Sequence, residues 1–451
     1  MTLPGAPAAQ GGFQRPYVIS WNLTYRCNLA CEHCYLDAGG KPEVTTEAFA
    51  DRSELGTEEC FRVIDEIAAF APEALIILTG GEPLLRRDVV PIIRYASERK
   101  LWVVVGTNGV SITENLARIL LREGVRGLAL SLDALDPDRH DGFRRVRGAW
   151  RNTVEGARIL ARVGLPFIVQ TTVGRHNAGE LERIAEFAWA EMGAKVWNLY
   201  FLVQTGRGQF VSDIAPEEYD AVLAELSRIQ QAYRSRMVVN AKCAPHYVKR
   251  LYEEDPDSPF LKAYAAGAGG CPAGSHYMGI RPNGDVTPCP YLPVFGGSLR
   301  RDGLADLWER SEPFVRIRRR GELGGRCGAC EFDAVCGGCR ARAFGHSGDY
   351  MAEDPLCTHR PGTYARPLQI RPPQVEYGRP EERTLPWDDD ARERMRRVPA
   401  FVRGMVTRAV EDHCRKSGIS RVTAGELERI RSRMPTPKLF ARGDSAEGES
   451  S

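Results

Sequence analysis

No stretch of this chain is apolar for long. Its longest apolar runs, such as Leu75–Leu78 and Leu101–Val105, fall far short of the ~18 residues a membrane-spanning helix needs, so no membrane span is expected. Met1–Gly12 has neither a basic segment nor an apolar core, and no secretory signal is expected there. Charge of one sign is also missing: 61 Lys and Arg face 59 Asp and Glu, a formal net charge of +2. That balance argues against a nucleic-acid footprint spread over the surface, though not against a local basic groove. No nucleic-acid partner is expected. With 43% hydrophobic and 27% charged residues, large-scale disorder is excluded. At ~100–200 residues per domain, the 451 residues suggest two to four domains.

What the sequence does have is cysteine. There are 13, and they are clustered. Without an export signal the expected compartment is the reducing cytoplasm, where a disulfide framework is not expected. Clustered thiols there bind metal or carry redox chemistry.

From Tyr17 to about Leu202 short apolar runs alternate with amphipathic stretches. Strands are predicted at Tyr17–Ser20, Ala74–Leu78, Leu101–Val105, Gly127–Ser131, Pro166–Thr172 and Val196–Phe201. Six βα repeats in this order predict an α/β fold with a parallel sheet and helical crossovers. Six are too few for a closed eight-fold barrel, so a partial (β/α)6 TIM-like barrel is expected, with its chemistry at the C-terminal strand ends. Beyond it Gly, Pro and Cys become dense, a texture that suggests metal stapling. The division expected is a flexible arm (1–16), the barrel (17–235), a Cys-rich extension (236–362), a linker (363–385), a small helical domain (386–435) and a disordered tail (436–451). In the helical domain Val402, Val406, Ala409 and His413 are predicted to share a face. Thr423 and Glu426 could form a capping box for the last helix.

The first cysteine cluster follows the first strand: Cys27-Asn-Leu-Ala-Cys31-Glu-His-Cys34. Zinc sites favour paired x2 spacings and four protein ligands. Three close thiolates suit three irons of a [4Fe–4S] cluster, leaving one iron open to a chelating ligand. A zinc site with a remote fourth ligand remains the alternative. Cys-x3-Cys-x2-Cys after the first of six βα repeats resembles the radical S-adenosylmethionine (SAM) superfamily. In that family the open iron chelates the amino and carboxylate groups of SAM. One electron then cleaves SAM to methionine and a 5′-deoxyadenosyl radical, which takes hydrogen from substrate.

Other strand ends agree with that resemblance. Gly80-Gly81-Glu82-Pro83 after the second strand resembles the motif that binds the methionine amino group; the glycines permit close backbone approach and a carboxylate matches an ammonium. Asn108, in Thr-Asn-Gly after the third strand, is either a site residue or a plain turn. Ser131-Leu132-Asp133 after the fourth resembles a motif near the ribose and carboxylate; a helix N-cap is its plain alternative. His33 stands where the family has an aromatic residue beside the adenine. Arg144 matches a family arginine near the site, or is a surface arginine.

Seven more cysteines lie between Cys271 and Cys357. Their spacing resembles the SPASM extension of radical SAM enzymes, which implies one or two auxiliary [4Fe–4S] clusters. By that resemblance Cys327, Cys330, Cys336 and Cys357 hold one. Cys271, Cys289 and Cys339 hold the other, with Cys243 as fourth ligand or with an open iron. Two Cys-x2-Cys pairs also allow a zinc ribbon. Cys60 and Cys414 fall within helical patterns and are expected to be core or surface residues.

Several stretches are similar to the tetrapyrrole-modifying branch of SPASM enzymes, in alternative heme and heme d1 biosynthesis: Leu199–Gly208, Pro288–Leu292, Cys336–Ala343 and Glu353–Pro355. The implied substrate is a tetrapyrrole side chain, the implied electron donor reduced ferredoxin or flavodoxin. Arg340 and Arg342 could pair with propionates, or form a solvated basic loop. Pro386-Trp387, Val398-Pro399, Phe401-Val402-Arg403 and Val410-Glu411 resemble the small helical domain ending the B subunit of light-independent protochlorophyllide reductase. Two alternatives stand. A peptide maturase is expected to carry a winged helix–turn–helix before the barrel, where about 16 residues precede Tyr17. A non-enzymatic zinc scaffold would bind no iron.

Overall fold

The computed structural model describes residues 15–44, 46–211, 213–257, 261, 270–364, 381–398 and 400–432. Most of the predicted arm and linker, and all of the predicted tail, lie outside these.

The six predicted strands are present with ends shifted by no more than two residues: β1 Val18–Asn22, β2 Leu75–Thr79, β3 Trp102–Thr107, β4 Gly127–Ser131, β5 Phe167–Val173 and β6 Val196–Phe201. The sheet is larger than predicted. β7 Val238–Lys242 pairs in parallel with β6, and β8 Tyr277–Ile280 pairs in parallel with β1 on the other side. A two-residue β9, Val286–Thr287, closes that edge antiparallel to β8. The order is β7-β6-β5-β4-β3-β2-β1-β8-β9, an open partial barrel. The sequence hid β7 because only two of the five residues of Val-Val-Asn-Ala-Lys are β-branched. It hid β8 because Tyr-Met-Gly-Ile sits in a Gly- and Pro-rich stretch. Both lie beyond residue 235.

Helices cross over between consecutive parallel strands. Their apolar stripes and the outer strand residues form one continuous core, from Ile19 and Trp21 through Val103, Leu130 and Val169 to Trp197 and Val239. Cys60 is fully buried in it. Inward-facing positions are small or polar (Ser20, Thr79, Gly106, Ser131, Gln170, Thr172), which leaves the barrel mouth open. Beyond β7 the helices are short, and Cys271, Cys289, Cys327 and Cys339 are part of a second core.

The C-terminal helices Asp389–Arg396, Ala400–Lys416 and Ala424–Ser432 enclose a third core around Trp387, Met395, Val410 and Cys414. Of the face predicted for the middle helix, Val406 and His413 are half-buried, and the Val402 side chain lies outside those described. Ala409 is exposed, while Thr407, Val410, Glu411 and Cys414 are buried. Glu411 turns the helix inward because it accepts from Trp387 Nε1 at 2.9 Å and from the backbone of Thr384 and Leu385. Thr423 caps the last helix through Glu426 N at 3.1 Å. The Glu426 carboxylate turns to Arg429 and His413 instead of back to the cap.

Candidate active site

The C-terminal strand ends open on one cavity of about 1250 Å³, mouth included. Cys27, Cys31 and Cys34 all line it, with His33, Gly80, Gly81, Asn108, Ser131 and Arg144.

Each of the three sulfurs accepts N–H: Cys27 from Leu29 N at 3.4 Å and Asn108 Nδ2 at 4.0 Å, Cys31 from Arg144 at 3.6 Å and Cys34 from Ala38 N at 3.3 Å. Burial nevertheless pushes the Cys27 thiol up to about 12 and raises that of Cys31. Such sulfurs become thiolates only when a cation binds them. Three of them converging on a roomy cavity, beside a buried His33 Nδ1 with no partner, form a donor set that fits an iron–sulfur cluster with one open corner.

The loop bearing them is braced from a distance. Arg207, 1% exposed, donates to Cys31 O, Asp37 Oδ1 and Ala38 O, each at 2.9 Å, and its own N–H reaches Cys34 O at 2.9 Å. Asp37 in turn accepts from Arg52 and from the amides of Glu43 and Val44. Gly206 has φ +56°, and a Cβ there would meet Cys34 O at 2.5 Å. The Thr-Gly-Arg-Gly stretch, read in the sequence as a hint of substrate, is therefore structural support for the cysteine loop.

The Gly-Gly-Glu-Pro turn differs from its sequence reading. Cβ atoms on Gly80 and Gly81 would strike Thr24 O at 2.7 Å and Arg26 O at 2.3 Å. The close approach these glycines allow is thus to the backbone entering the cysteine loop. Glu82 does not face the cavity. It is fully buried and accepts from Thr107 Oγ1 at 2.9 Å, Asn108 N at 2.9 Å and Leu84 N at 3.1 Å. Burial outweighs those donors and lifts its carboxyl to about 7. Asn108 is more than a turn: its Nδ2 donates to Asn28 Oδ1 at 2.7 Å, tying the end of β3 to the cysteine loop.

Asp133 is not the helix cap either. Asp136 caps the helix Pro137–Arg144, accepting from Arg139 N at 2.9 Å. Asp133, fully buried, accepts from Thr172 N at 2.9 Å and pairs with Arg144, whose Nε lies 2.7 Å from Oδ2. Burial pushes the Asp133 carboxyl up, but the guanidinium overrides it and holds it at about 2. Arg144 is so pinned with one edge toward Cys31, a cavity residue and not a surface one. His33 stacks on Phe143 at 4.4 Å. Burial and the nearby Arg144 drop its pKa to about 3, so it presents a neutral ring.

The remaining cysteines form two groups. Cys327, Cys330, Cys336 and Cys357 line a small second cavity with Gly337, Gly338 and His359. Cys271 and Cys339 are hydrogen-bonded to one another, with Cys243 and Cys289 as their neighbours. Cys330, Glu331 and His359 also converge closely enough to hold a single ion. Arg340 and Arg342 are not available to a substrate. Arg342 grips both oxygens of buried Asp354 at 2.8 and 2.9 Å, and Arg340 donates to Tyr350 O, Ala352 O and Cys327 Sγ. Asp354 also accepts from Cys339 N at 2.7 Å. This basic pair fastens the thiol loops.

Sequence reading missed the far wall of the main cavity, made by Tyr35, Tyr200, Tyr277 and Tyr291. Tyr35 and Tyr291 pack at 4.5 Å and Tyr200 and Tyr291 at 6.3 Å between ring centres. Tyr35 Oη donates to Asn22 Oδ1 at 2.7 Å and Gln170 donates to Tyr200 Oη at 3.3 Å. Four rings from four separate segments carry no local signal.

Comparison with known proteins agrees along the chain. Residues 21–188 match the radical SAM superfamily, residues 271–331 an iron–sulfur cluster-binding (SPASM) domain, and residues 387–431 the proto-chlorophyllide reductase 57 kD subunit. The chain is 37% identical over 352 residues to the AdoMet-dependent heme synthase of Methanosarcina barkeri, covering 77% of this chain and 97% of that protein. It is 31% identical to the pre-heme d1 synthase of Dinoroseobacter shibae, covering 78% of this chain and 89% of that protein. In fold it is similar to Streptococcus suis SuiB bound to precursor peptide SuiA, with a TM-score of 0.61 at 17% identity over 77% of this chain and 76% of that one.

Proposed function

The chain belongs to the radical SAM superfamily, with an iron–sulfur extension behind its barrel, and from that membership we propose that it removes carboxyl groups from tetrapyrrole side chains in heme or heme d1-type synthesis. The observation that carries the reading is the 37% identity to a heme synthase across nearly that protein's whole length. It is an enzyme that uses SAM and iron–sulfur chemistry. When bound, SAM and a reduced [4Fe–4S] cluster supply a 5′-deoxyadenosyl radical able to take hydrogen from carbon.

The residues divide the work as follows. Cys27, Cys31 and Cys34 hold the cluster that binds SAM. Arg144, steadied by Asp133, meets the methionine carboxylate; the backbone of Gly80–Gly81 meets its amino end. The neutral His33 ring lies beside the adenine, with Ser131 and Asn108 near the ribose. Glu82 positions the Gly80–Gly81 turn and does not touch the ligand. The tyrosine wall offers flat apolar area for a macrocycle and helps exclude water. Loss of hydrogen beside a propionate, then of the carboxyl as CO2, leaves a vinyl group and one surplus electron. The two extension groups, Cys327/Cys330/Cys336/Cys357 and Cys271/Cys289/Cys339/Cys243, hold auxiliary [4Fe–4S] clusters that suit that electron. Reduced ferredoxin or flavodoxin is the donor, and the reaction runs in the cytoplasm. Among the described residues no helix is long and apolar enough to cross a membrane.

Anaerobic incubation of reduced, reconstituted protein with SAM tests the reading. Iron-coproporphyrin or siroheme-derived compounds should raise deoxyadenosine formation and lose the mass of CO2 per carboxyl removed. Stimulation by a precursor peptide alone would make the chain a peptide maturase. A colourless zinc protein would make it a scaffold.

A further inference from the structure

Among the described residues four arginines donate to cysteines of the extension, and they differ in what balances their charge. Arg326 pairs with Glu353 at 3.0 Å and Arg342 with Asp354 at 2.8 Å. Arg320 and Arg340 pair with no carboxylate among those residues. Arg320, half-buried, donates to Cys271 O at 2.5 Å and Cys336 O at 3.3 Å, so it lies between the two groups of thiols. Arg340, fully buried, donates from Nη2 to Cys327 Sγ at 3.6 Å and otherwise to the carbonyls of Gly338, Tyr350 and Ala352. Its own backbone N–H goes to Cys271. Asp333 acts on Arg320 from beyond ion-pair reach. Asp354, across Gly338 from Arg340, is gripped by Arg342 on both oxygens. The Cys-Gly-Gly-Cys turn leaves space for both cations. A Cβ on Gly337 would meet Arg320 Nη1 at 1.8 Å, and one on Gly338 would meet Arg340 Nη2 at 2.7 Å, so a side chain at either would displace the guanidinium. A buried cation without an anion is costly, and what stands beside these two is thiol sulfur.

We propose that Arg320 and Arg340 are the charge partners of the extension's two iron–sulfur clusters, placed to stabilise the electron that arrives there from substrate. This rests on the reading above, in which each group of thiols holds a [4Fe–4S] cluster. Four thiolates give such a cluster a net negative charge, and reduction adds one more. A buried cation nearby therefore favours the reduced form. For each carboxyl removed, one hydrogen atom leaves the substrate for the deoxyadenosyl radical. CO2 and one electron follow, and an oxidised cluster of the extension takes that electron. The first site lacks this device, since Arg144, which reaches Cys31, is already neutralised by Asp133.

The test is a redox titration of the anaerobically reconstituted full chain, followed by electron paramagnetic resonance, with iron and sulfide measured in parallel. Signals that SAM shifts belong to the first site, and those it leaves alone belong to the extension. Arg320→Gln and Arg340→Gln should each move the reduction equilibrium of an extension signal about tenfold or more toward the oxidised form, about 60 mV for one electron. Arg320→Lys and Arg340→Lys, which keep the charge, should stay within a few-fold of wild type. The first-site signal should not move in any of them. Loss of extension iron in a Gln variant that its Lys counterpart retains also supports the proposal, since charge is what separates the two. Unchanged potentials in both Gln variants at full iron content overturn it and leave the tetrapyrrole reading standing. So does a shift or an iron loss that is equal in the Gln and Lys variants, which would make these arginines braces for the loops alone. A wild-type chain that takes iron only at the first site overturns both the proposal and the cluster reading beneath it.

Discussion

The two cysteine regions are built on opposite plans. In the first, three sulfurs come from eight consecutive residues, Cys27 to Cys34, and face an open cavity. In the second, the groups are assembled from Cys243 to Cys357 across three strands and several loops, and most of their sulfurs are buried. The first is a local motif held from outside by one buried arginine, Arg207. The second joins two Cys-x2-Cys pairs to four cysteines from separate segments and is held from inside by Asp354, which Arg342, Cys339 N and Leu356 N all reach. An open loop suits a cofactor that must meet SAM and substrate. A closed one suits groups that only exchange electrons.

The sharpest way to break this comparison is at the sulfurs. Cys31→Ala should abolish deoxyadenosine formation outright, measured by chromatography, and retained SAM cleavage would refute the assignment of the first site. Cys336→Ala should take iron only from the second region: deoxyadenosine would still form, and decarboxylated product would fall at least about tenfold. Equal loss of both activities would mean that the regions are not separable.

Weaker changes probe the braces. Arg207→Ala removes one of the two guanidinium partners of buried Asp37 and two carbonyl contacts, at a cost of about 3–5 kcal/mol. Chelators should then strip iron from the first region faster than from the second. Asp354→Asn should reverse that preference, and iron release followed by absorbance compares the two directly. Arg144→Gln should raise the Kd for SAM about tenfold without affecting iron content in either region.

The smallest effect is in pH. The folded-state pKa of Glu82, lifted by burial to about 7 from its ordinary 4.5, means the native protein holds that proton more tightly than the unfolded chain. Its stabilising contribution is complete below about 4.5 and lost as pH rises through about 7. The melting temperature should therefore fall between about pH 5 and 8, and the slope should flatten in Glu82→Gln.

How much of this was readable before folding follows the same division. Cys27, Cys31 and Cys34 were legible because their chemistry is local: spacing on one loop decides whether three sulfurs can meet. The six strand positions were legible for the same reason, since apolar runs of strand length recur between amphipathic helices. β7 and β8 were not, because neighbours in the sheet rather than their own side chains make them strands. Nor was the inward turn of Val410 over Ala409, which depends on Glu411 finding Trp387 and Thr384. Arg340 and Arg342 misled, since a basic run looks the same whether it awaits a ligand or an internal aspartate.

By itself, the sequence determined the chemistry available to this protein, because the reactivity of thiols at a given spacing is a property of a few bonded neighbours. Only the tertiary structure decided which charges are used up holding loops and which remain for a ligand. Arg207 and Arg342 are both cations in the chain, and each is spent on a carboxylate brought from elsewhere in the fold, at 2.9 and 2.8 Å.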